Sequence, residues 1–289
     1  MAVLLKIKIG KRIFTLDMNM LLNFIHWGPD PVLFSLGPIE LRYYSLCWLL
    51  AIVLAYILML RVFKKEGKSQ ELLDQLTIYV FIGIFLGARL GHCLFYDFAY
   101  YKDHIIEIFL PIQQVNGSWK LTGFAGLASH GAAFGTLASL LLFSRKYKID
   151  FMWLADRLAL VVPISGAFVR LGNFFNSEMI GHPTTVPWAI IFEQHDNIPR
   201  HPGQLYEAIA YILIFILLWT IYNRNIKLKK GVLFGWFLIL LFGARFILEY
   251  FKIDQVGFEA TMQFNMGQWL SVPFIALGVY LLIKANKKS

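Results

Sequence analysis

Charge is what this 289-residue sequence lacks most: Asp, Glu, Lys and Arg make up 16% of it, against about 25% in a typical soluble domain. Cysteine is almost missing as well. Cys47 and Cys93 both lie inside apolar runs, which argues against a disulfide framework and against a thiolate metal site. His182, His195 and His201 share one loop, but their spacing fits no zinc pattern, so no metal is expected. There is no His-Glu-x-x-His motif and no Ser–His dyad, which disfavours an intramembrane protease. No inverted repeat of the transporter kind is visible. The net charge of +9 gathers into no basic patch on a soluble domain, so nucleic acid is not an expected partner. Residues 1–17 carry Lys6, Lys8, Lys11 and Arg12 but no apolar run long enough for a signal peptide. Translation is expected to begin at Met18 or Met20, making 1–20 a basic arm and 21–289 the functional domain.

What the sequence has in abundance is apolar length, with 58% hydrophobic residues. A helix crossing about 30 Å of hydrocarbon needs roughly 20 apolar residues. Seven runs qualify: Ser45–Phe63, Leu76–Phe95, Leu121–Phe143, Phe151–Phe174, Leu205–Tyr222, Val232–Phe251 and Gln268–Ile283. The fold class is therefore all-α, a bundle of seven transmembrane helices with a small extracytoplasmic loop region at about 97–120 and 175–204. Lys and Arg are divided unevenly among the connections. Arg61, Lys64, Lys65, Lys68, Arg145, Lys146, Lys148, Arg224, Lys227, Lys229, Lys230, Lys284, Lys287 and Lys288 fall on one side, fourteen against the four of Lys102, Lys120, Arg200 and Lys252 on the other. By the positive-inside rule the N-terminus is outside and the C-terminus cytoplasmic. Gly83, Gly87 and Gly91 on the second span, and Gly131 and Gly135 on the third, recur every fourth position. That spacing lets helix backbones approach closely in lipid.

Four arginines remain inside spans, where a charge costs at least about 2.5–3.5 kcal/mol. Arg157 follows Asp156 at the cytoplasmic start of its span and reads as an interfacial anchor. Arg89, Arg170 and Arg245 lie about 6–9 Å from the outer ends of theirs, and His130 lies about 14 Å below its own, at 1.5 Å per residue. Arginines at one depth suit an anionic head group, because guanidinium binds phosphate through paired hydrogen bonds. His130 is the candidate proton acceptor. Arg245 and Glu249, four apart, share a helix face and can pair. The fourth span runs out into Arg170-Leu-Gly-Asn173-Phe-Phe-Asn176-Ser-Glu178-Met-Ile-Gly181. Its amides can orient ligand oxygens or cap the helix end, and Glu178 can hold an arginine. A transporter or channel for an anionic solute, or another phospholipid head-group enzyme, would also use such arginines.

The segment Arg170–Gly181 resembles the signature of the bacterial phosphatidylglycerol–prolipoprotein diacylglyceryl transferases. The resemblance runs from about Phe24 to the end. It takes in Phe34-Ser-Leu-Gly-Pro38, Arg42-Tyr-Tyr44, Gly87-Ala-Arg89-Leu-Gly91, Ser129-His130-Gly131, Arg200-His-Pro-Gly-Gln-Leu-Tyr-Glu207, Gly243-Ala-Arg245-Phe-Ile-Leu-Glu249 and Met266-Gly267-Gln268. It departs from the family pattern at Ala132, Val169 and Leu241. The resemblance implies a transferase of the bacterial inner membrane that moves diacylglyceryl from phosphatidylglycerol to the signal-peptide cysteine of a prolipoprotein, with no cofactor. It implies catalytic roles for His130, Arg170 and Arg245. Substrate binding falls to Tyr44, Arg89, Gly131, Asn173, Asn176, Glu178 and Glu249.

Overall fold

The computed structural model describes residues 4–9, 12–17, 24–37, 39–115, 117–122, 124, 126–224, 228–253 and 264–287. The expected start sites Met18 and Met20, Pro38 of the hairpin motif and the basic residues Lys227 and Lys288 lie outside them. The chain is mostly helical and divides into two compact units, Leu58–Ala155 and the pair Met1–Ile57 with Asp156–Ser289. Among the described residues, six helices are long and apolar enough to cross a membrane: α1 (Tyr43–Lys65), α2 (Gln70–Phe95), α6 (Phe151–Phe175), α7 (Gly203–Arg224), α8 (Val232–Leu248, extended by a 3-10 turn at Glu249–Phe251) and α9 (Met266–Lys287). Short helices α3 (Phe98–Tyr101) and α4 (Ile105–Phe109) follow α2.

The remaining expected span does not run from Leu121. Residues 118–121 form strand β7 (Ser118–Leu121), paired with β6 (Ile112–Val115), and helix α5 begins only at Ser129 and ends at Tyr147. The stretch between them includes Gly126 at φ +84°, a backbone conformation that no helix contains. The helix also runs past Phe143, so Arg145 and Lys146 fall in the last turn of α5. "All-α" needs a second correction, since short strands form the connections. They include the hairpin β1 (Leu4–Ile9)/β2 (Arg12–Asp17) in the basic arm and β4 (Val32–Leu36)/β5 (Ile39–Arg42) before α1.

In the Leu58–Ala155 unit, α2 and α5 meet through their glycines. A methyl added at Gly91 would sit 2.7 Å from the Gly131 Cα, and one at Gly135 would sit 2.9 Å from the Gly87 Cα. The every-fourth-residue spacing thus brings backbone against backbone, as small residues permit in lipid. Gly135→Val should destabilise the protein by roughly 1–3 kcal/mol through overpacking, seen as a lowered unfolding temperature in detergent. Unchanged unfolding would mean the helix pair can part without cost.

In the other unit, Asp156 solves a local problem for α8. Gly231 at the helix N-terminus has no side chain to cap it, and Asp156, 1% exposed, supplies the acceptor instead. Its Oδ2 receives the Gly231 N–H at 2.7 Å and its Oδ1 the Phe234 N–H at 2.8 Å. Arg157 stands 4.0 Å from the same carboxylate and over the Tyr222 ring at 5.8 Å, so it is buried and paired. Beyond the end of α6 lies a three-stranded sheet in the order β3 (Ile25–Trp27), β8 (Ile190–Phe192), β9 (Pro199–Arg200). β3 and β8 are parallel, with Ile25 beside Ile190, while β9 returns antiparallel. Phe174, Ile180, Ile190 and Phe192 form its core. Trp27 stacks on Phe174 at 4.2 Å and donates Nε1–H to the Phe174 carbonyl at 3.0 Å. This sheet fixes the exit of α6, and the exit of α6 carries the site.

Candidate active site

The site is built where α6 ends, α7 begins and the 3-10 turn after α8 passes both. Arg170 occupies the last turns of α6, 13% exposed, with its Nε 2.9 Å from Glu207 Oε2. Glu207 is fully buried one turn into α7. Its Oε1 takes the Lys252 Nζ at 2.9 Å, and that ammonium also reaches Glu249 Oε2 at 3.2 Å. Lys252 is 3% exposed. It therefore belongs to the interior, against the expectation of an outer-loop lysine. Tyr211, also buried on α7, lies within electrostatic reach of Arg170 and Arg245. Burying a charge is tolerable only when it is paired and hydrogen-bonded; Lys252 meets that condition with Glu207 Oε1 and Glu249, while Glu207 Oε2 has its ion pair with Arg170 and no hydrogen bond among the described residues.

The expected Arg245–Glu249 pair does not form, because the 3-10 turn swings Lys252 back onto Glu249 and occupies that carboxylate. The Glu249 carboxylate also lies against the Gly267 Cα; a methyl there would sit 2.8 Å from its Cδ. Two cations, Arg170 and Lys252, thus share two buried carboxylates, Glu207 and Glu249. Arg245, partly buried on α8, has no ion pair among the described residues.

The segment after α6 is shaped by two residues with left-handed backbone, Ser177 at φ 53° and Met179 at φ 56°. Such conformations cost non-glycine residues about 1 kcal/mol or more each. The turn folds Glu178 back over the helix end. Asn173 donates Nδ2–H to Glu178 Oε2 at 2.8 Å, and Asn176 donates to Oε1 at 3.1 Å. Asn173 Oδ1 accepts from Arg170 Nη1 at 3.4 Å, and the Met179 Sδ lies 2.9 Å from the same nitrogen. The fully buried Gln204 donates to the Glu178 carbonyl. Glu178 therefore orients the two amides, and through Asn173 it orients Arg170. Tyr44 packs edge-on to the same helix, where a methyl on Gly172 would lie 2.8 Å from its Cδ2.

Gly181 ends the segment at the tightest point of the loop. A methyl there would meet both the His201 and Phe251 carbonyl oxygens at 2.5 Å. Its N–H donates to His201, and the next residue's N–H donates to Phe251, each at 2.9 Å. Arg200 ties down the loop from β9. It donates to both Asp196 carboxylate oxygens from Nε at 3.1 Å and to the Gly181 carbonyl at 3.4 Å. The Arg200 hydrogen bond holds the Asp196 carboxyl below the usual carboxylate range. Folding therefore favours the charged form, so this contribution is complete at neutral pH and is lost as pH falls through the lowered value. Amide exchange across Gly181–Arg200 should accelerate only below about pH 4, and Asp196→Asn should abolish that dependence while speeding exchange at pH 7.

Arg89 and His130 belong to the Leu58–Ala155 unit. Arg89 is buried with its donors on backbone: Nε–H to the Ile108 carbonyl at 3.1 Å, Nη1 to Gly126 at 3.3 Å and Nη2 to Glu107. The Tyr101 and Phe124 rings flank it at 4.7 and 5.3 Å. The guanidinium thus fastens the loop that leads into α5. His130, in the first turn of α5, has an exposed side chain with no hydrogen-bond partner among the described residues. Gly131 lies in the α2–α5 contact. Among the described residues no group of three or more His, Cys, Asp or Glu could hold a metal.

Membrane-length helices, with Arg170 and Lys252 paired to buried carboxylates where α6 meets α7, define a multi-pass membrane protein. The family model for prolipoprotein diacylglyceryl transferase matches residues 31–284. The chain is 46% identical over 273 residues to the phosphatidylglycerol–prolipoprotein diacylglyceryl transferase of Bacteroides fragilis, covering 94% of this chain and 99% of that one. It is 45% identical to the enzyme of that name from Tolumonas auensis (91% and 98% covered) and 40% identical to the one from Chloroherpeton thalassium (92% and 96%). The chain belongs to the prolipoprotein diacylglyceryl transferase family.

Proposed function

We propose that the protein transfers the diacylglyceryl group of phosphatidylglycerol to the thiol of a prolipoprotein's signal-peptide cysteine, the first step of lipoprotein maturation. The observation that supports the reading at this site is the pair of arginines on α6 and α8. Arg170 is held by Glu207 and Asn173, while Arg245 has no ion pair among the described residues. A lipid phosphodiester supplies an anion for them.

The chemistry follows from that placement. The cysteine sulfur attacks as thiolate, and His130, uncommitted and exposed, takes its proton. A carbon–sulfur bond forms as the glyceryl carbon–oxygen bond breaks, and glycerol phosphate leaves with the electron pair. The phosphate moves from one negative charge towards two, so Arg170 and Arg245 bind the transition state more tightly than the bound lipid. Asn173, Asn176 and Glu178 set the Arg170 side of the pocket, and Glu249, through Lys252 and Glu207, sets its charge balance. Tyr44 lines the lipid, and Arg89 and Gly131 act through the loop and helix pair that present His130.

We further read α5 as a seventh span. Its 19 residues extend about 28 Å, and its glycines pack on α2, a helix of membrane-spanning length. The lysine and arginine distribution supports an outside N-terminus and a cytoplasmic C-terminus, which puts the exit of α6 on the face where exported signal peptides arrive. The test is incubation of purified protein with labelled phosphatidylglycerol and a cysteine-bearing signal peptide. A labelled thioether and free glycerol phosphate are expected; folded protein that yields neither refutes the proposal.

A further inference from the structure

Arg170 has several neighbours, and they differ in one respect. Glu207 is fully buried, and Asn173 and Tyr211 are 6% exposed. Met179 is 43% exposed, yet its Sδ lies 2.9 Å from Arg170 Nη1. The guanidinium is thus enclosed by strong acceptors on its inner sides and covered on its open side by a thioether. A thioether sulfur is a weak acceptor, and an ionised oxygen on the same N–H binds far more strongly. Nor is the sulfur's position accidental. Met179 holds left-handed backbone at φ 56°, two residues after Ser177 does so at 53°, and Glu178 between them is anchored by Asn173, Asn176 and Gln204. A side chain presented by so constrained a turn has a reason to be there.

We infer that Met179 is a positioning residue, a displaceable place-holder on the ligand-facing edge of Arg170. Its thioether keeps the Nη1 donor oriented and shielded until the phosphate oxygen of the lipid takes its place. A methionine suits this task for two reasons. Its sulfur releases the N–H readily, and its unbranched chain swings aside without disturbing the backbone. A stronger acceptor at this position would compete with the phosphate, whereas a purely apolar one would not.

This inference rests on the phosphatidylglycerol reading of the site. The experiment compares Met179→Gln and Met179→Leu with the unaltered protein, measuring kcat and KM against the mole fraction of phosphatidylglycerol in mixed micelles at saturating peptide. The Gln variant should raise KM by about fivefold or more, because its amide oxygen is a full acceptor, with kcat within about twofold once lipid has displaced it. The Leu variant should not raise KM. Equal shifts in both variants, no shift in KM, or a fall in kcat alone would each overturn the place-holder role. A failed transferase reading shows itself separately, as no thioether from the unaltered protein. In that case retention of phosphatidylglycerol by the three purified proteins decides the matter, and only weaker retention by the Gln variant supports the inference.

Discussion

Replacing Arg170 with alanine should cut diacylglyceryl transfer by about 10²–10³-fold or more, the usual loss when one donor aimed at developing charge is removed. The loss should fall on kcat, because the phosphate gains its second charge only as the carbon–oxygen bond breaks. Arg170→Lys should restore little. The native side chain is paired through Nε to Glu207 while Nη1 faces Asn173 and Met179, and an ammonium cannot hold both directions in one plane. Arg245→Ala should lose transfer by a similar factor for a simpler reason, since it removes a cation that has no ion pair among the described residues. Rates with labelled phosphatidylglycerol check both. Transfer within tenfold of the unaltered protein in either variant would remove the arginines from the centre of the mechanism.

Glu207→Ala should be the most destabilising substitution at the site, by about 3–5 kcal/mol, the cost of stripping one partner from a buried ion pair. The carboxylate holds Arg170 on one oxygen and Lys252 on the other, at 2.9 Å each. Its loss leaves Arg170 without an ion pair and Lys252 with Glu249 alone. Glu207→Gln keeps the volume and loses the charge, and should fall between the two. Adding Arg170→Met to Glu207→Ala should recover part of the stability, since the orphaned charge is then gone. Unfolding temperatures in detergent for the four proteins are the measurement. Glu207→Ala unfolding like the unaltered protein would show that the network carries no stability.

Much of this site can be read from the sequence, and the parts that cannot share a cause. Arg170, Asn173, Asn176 and Glu178 stand within nine residues of one another at the mouth of one helix, and all four meet in space. Glu207 obeys the argument that singles out the arginines, because a carboxylate within an apolar span is as costly as a guanidinium. Searching only for cations misses it. Lys252 is hidden by the loop count itself, which treats any lysine beyond an apolar run as solvated; the 3-10 turn that buries it is a tertiary event. That turn also explains why Glu249, one helical turn from Arg245, pairs elsewhere. Met179 leaves no sequence signal at all, since its placement depends on two left-handed residues that no propensity favours. For the fold, α1 begins within two residues of the expected span, and α6 and α8 begin where theirs do. The run from Leu121 fails because Thr, Ser, Gly and Ala count as tolerable in a window yet do not commit the chain to helix before Ser129.

The carboxylate of Asp156 has a bearing on how the polypeptide is made. Its two acceptors are satisfied by the amides of Gly231 and Phe234, which lie 75 and 78 residues further along the chain. When α6 leaves the ribosome those amides have not been synthesised, so the anion must stay at a wet boundary while α7 is threaded. Only the arrival of the next helix gives it a dry home. Asp156 therefore sets the register of α8 against α6 only after α7 has been made.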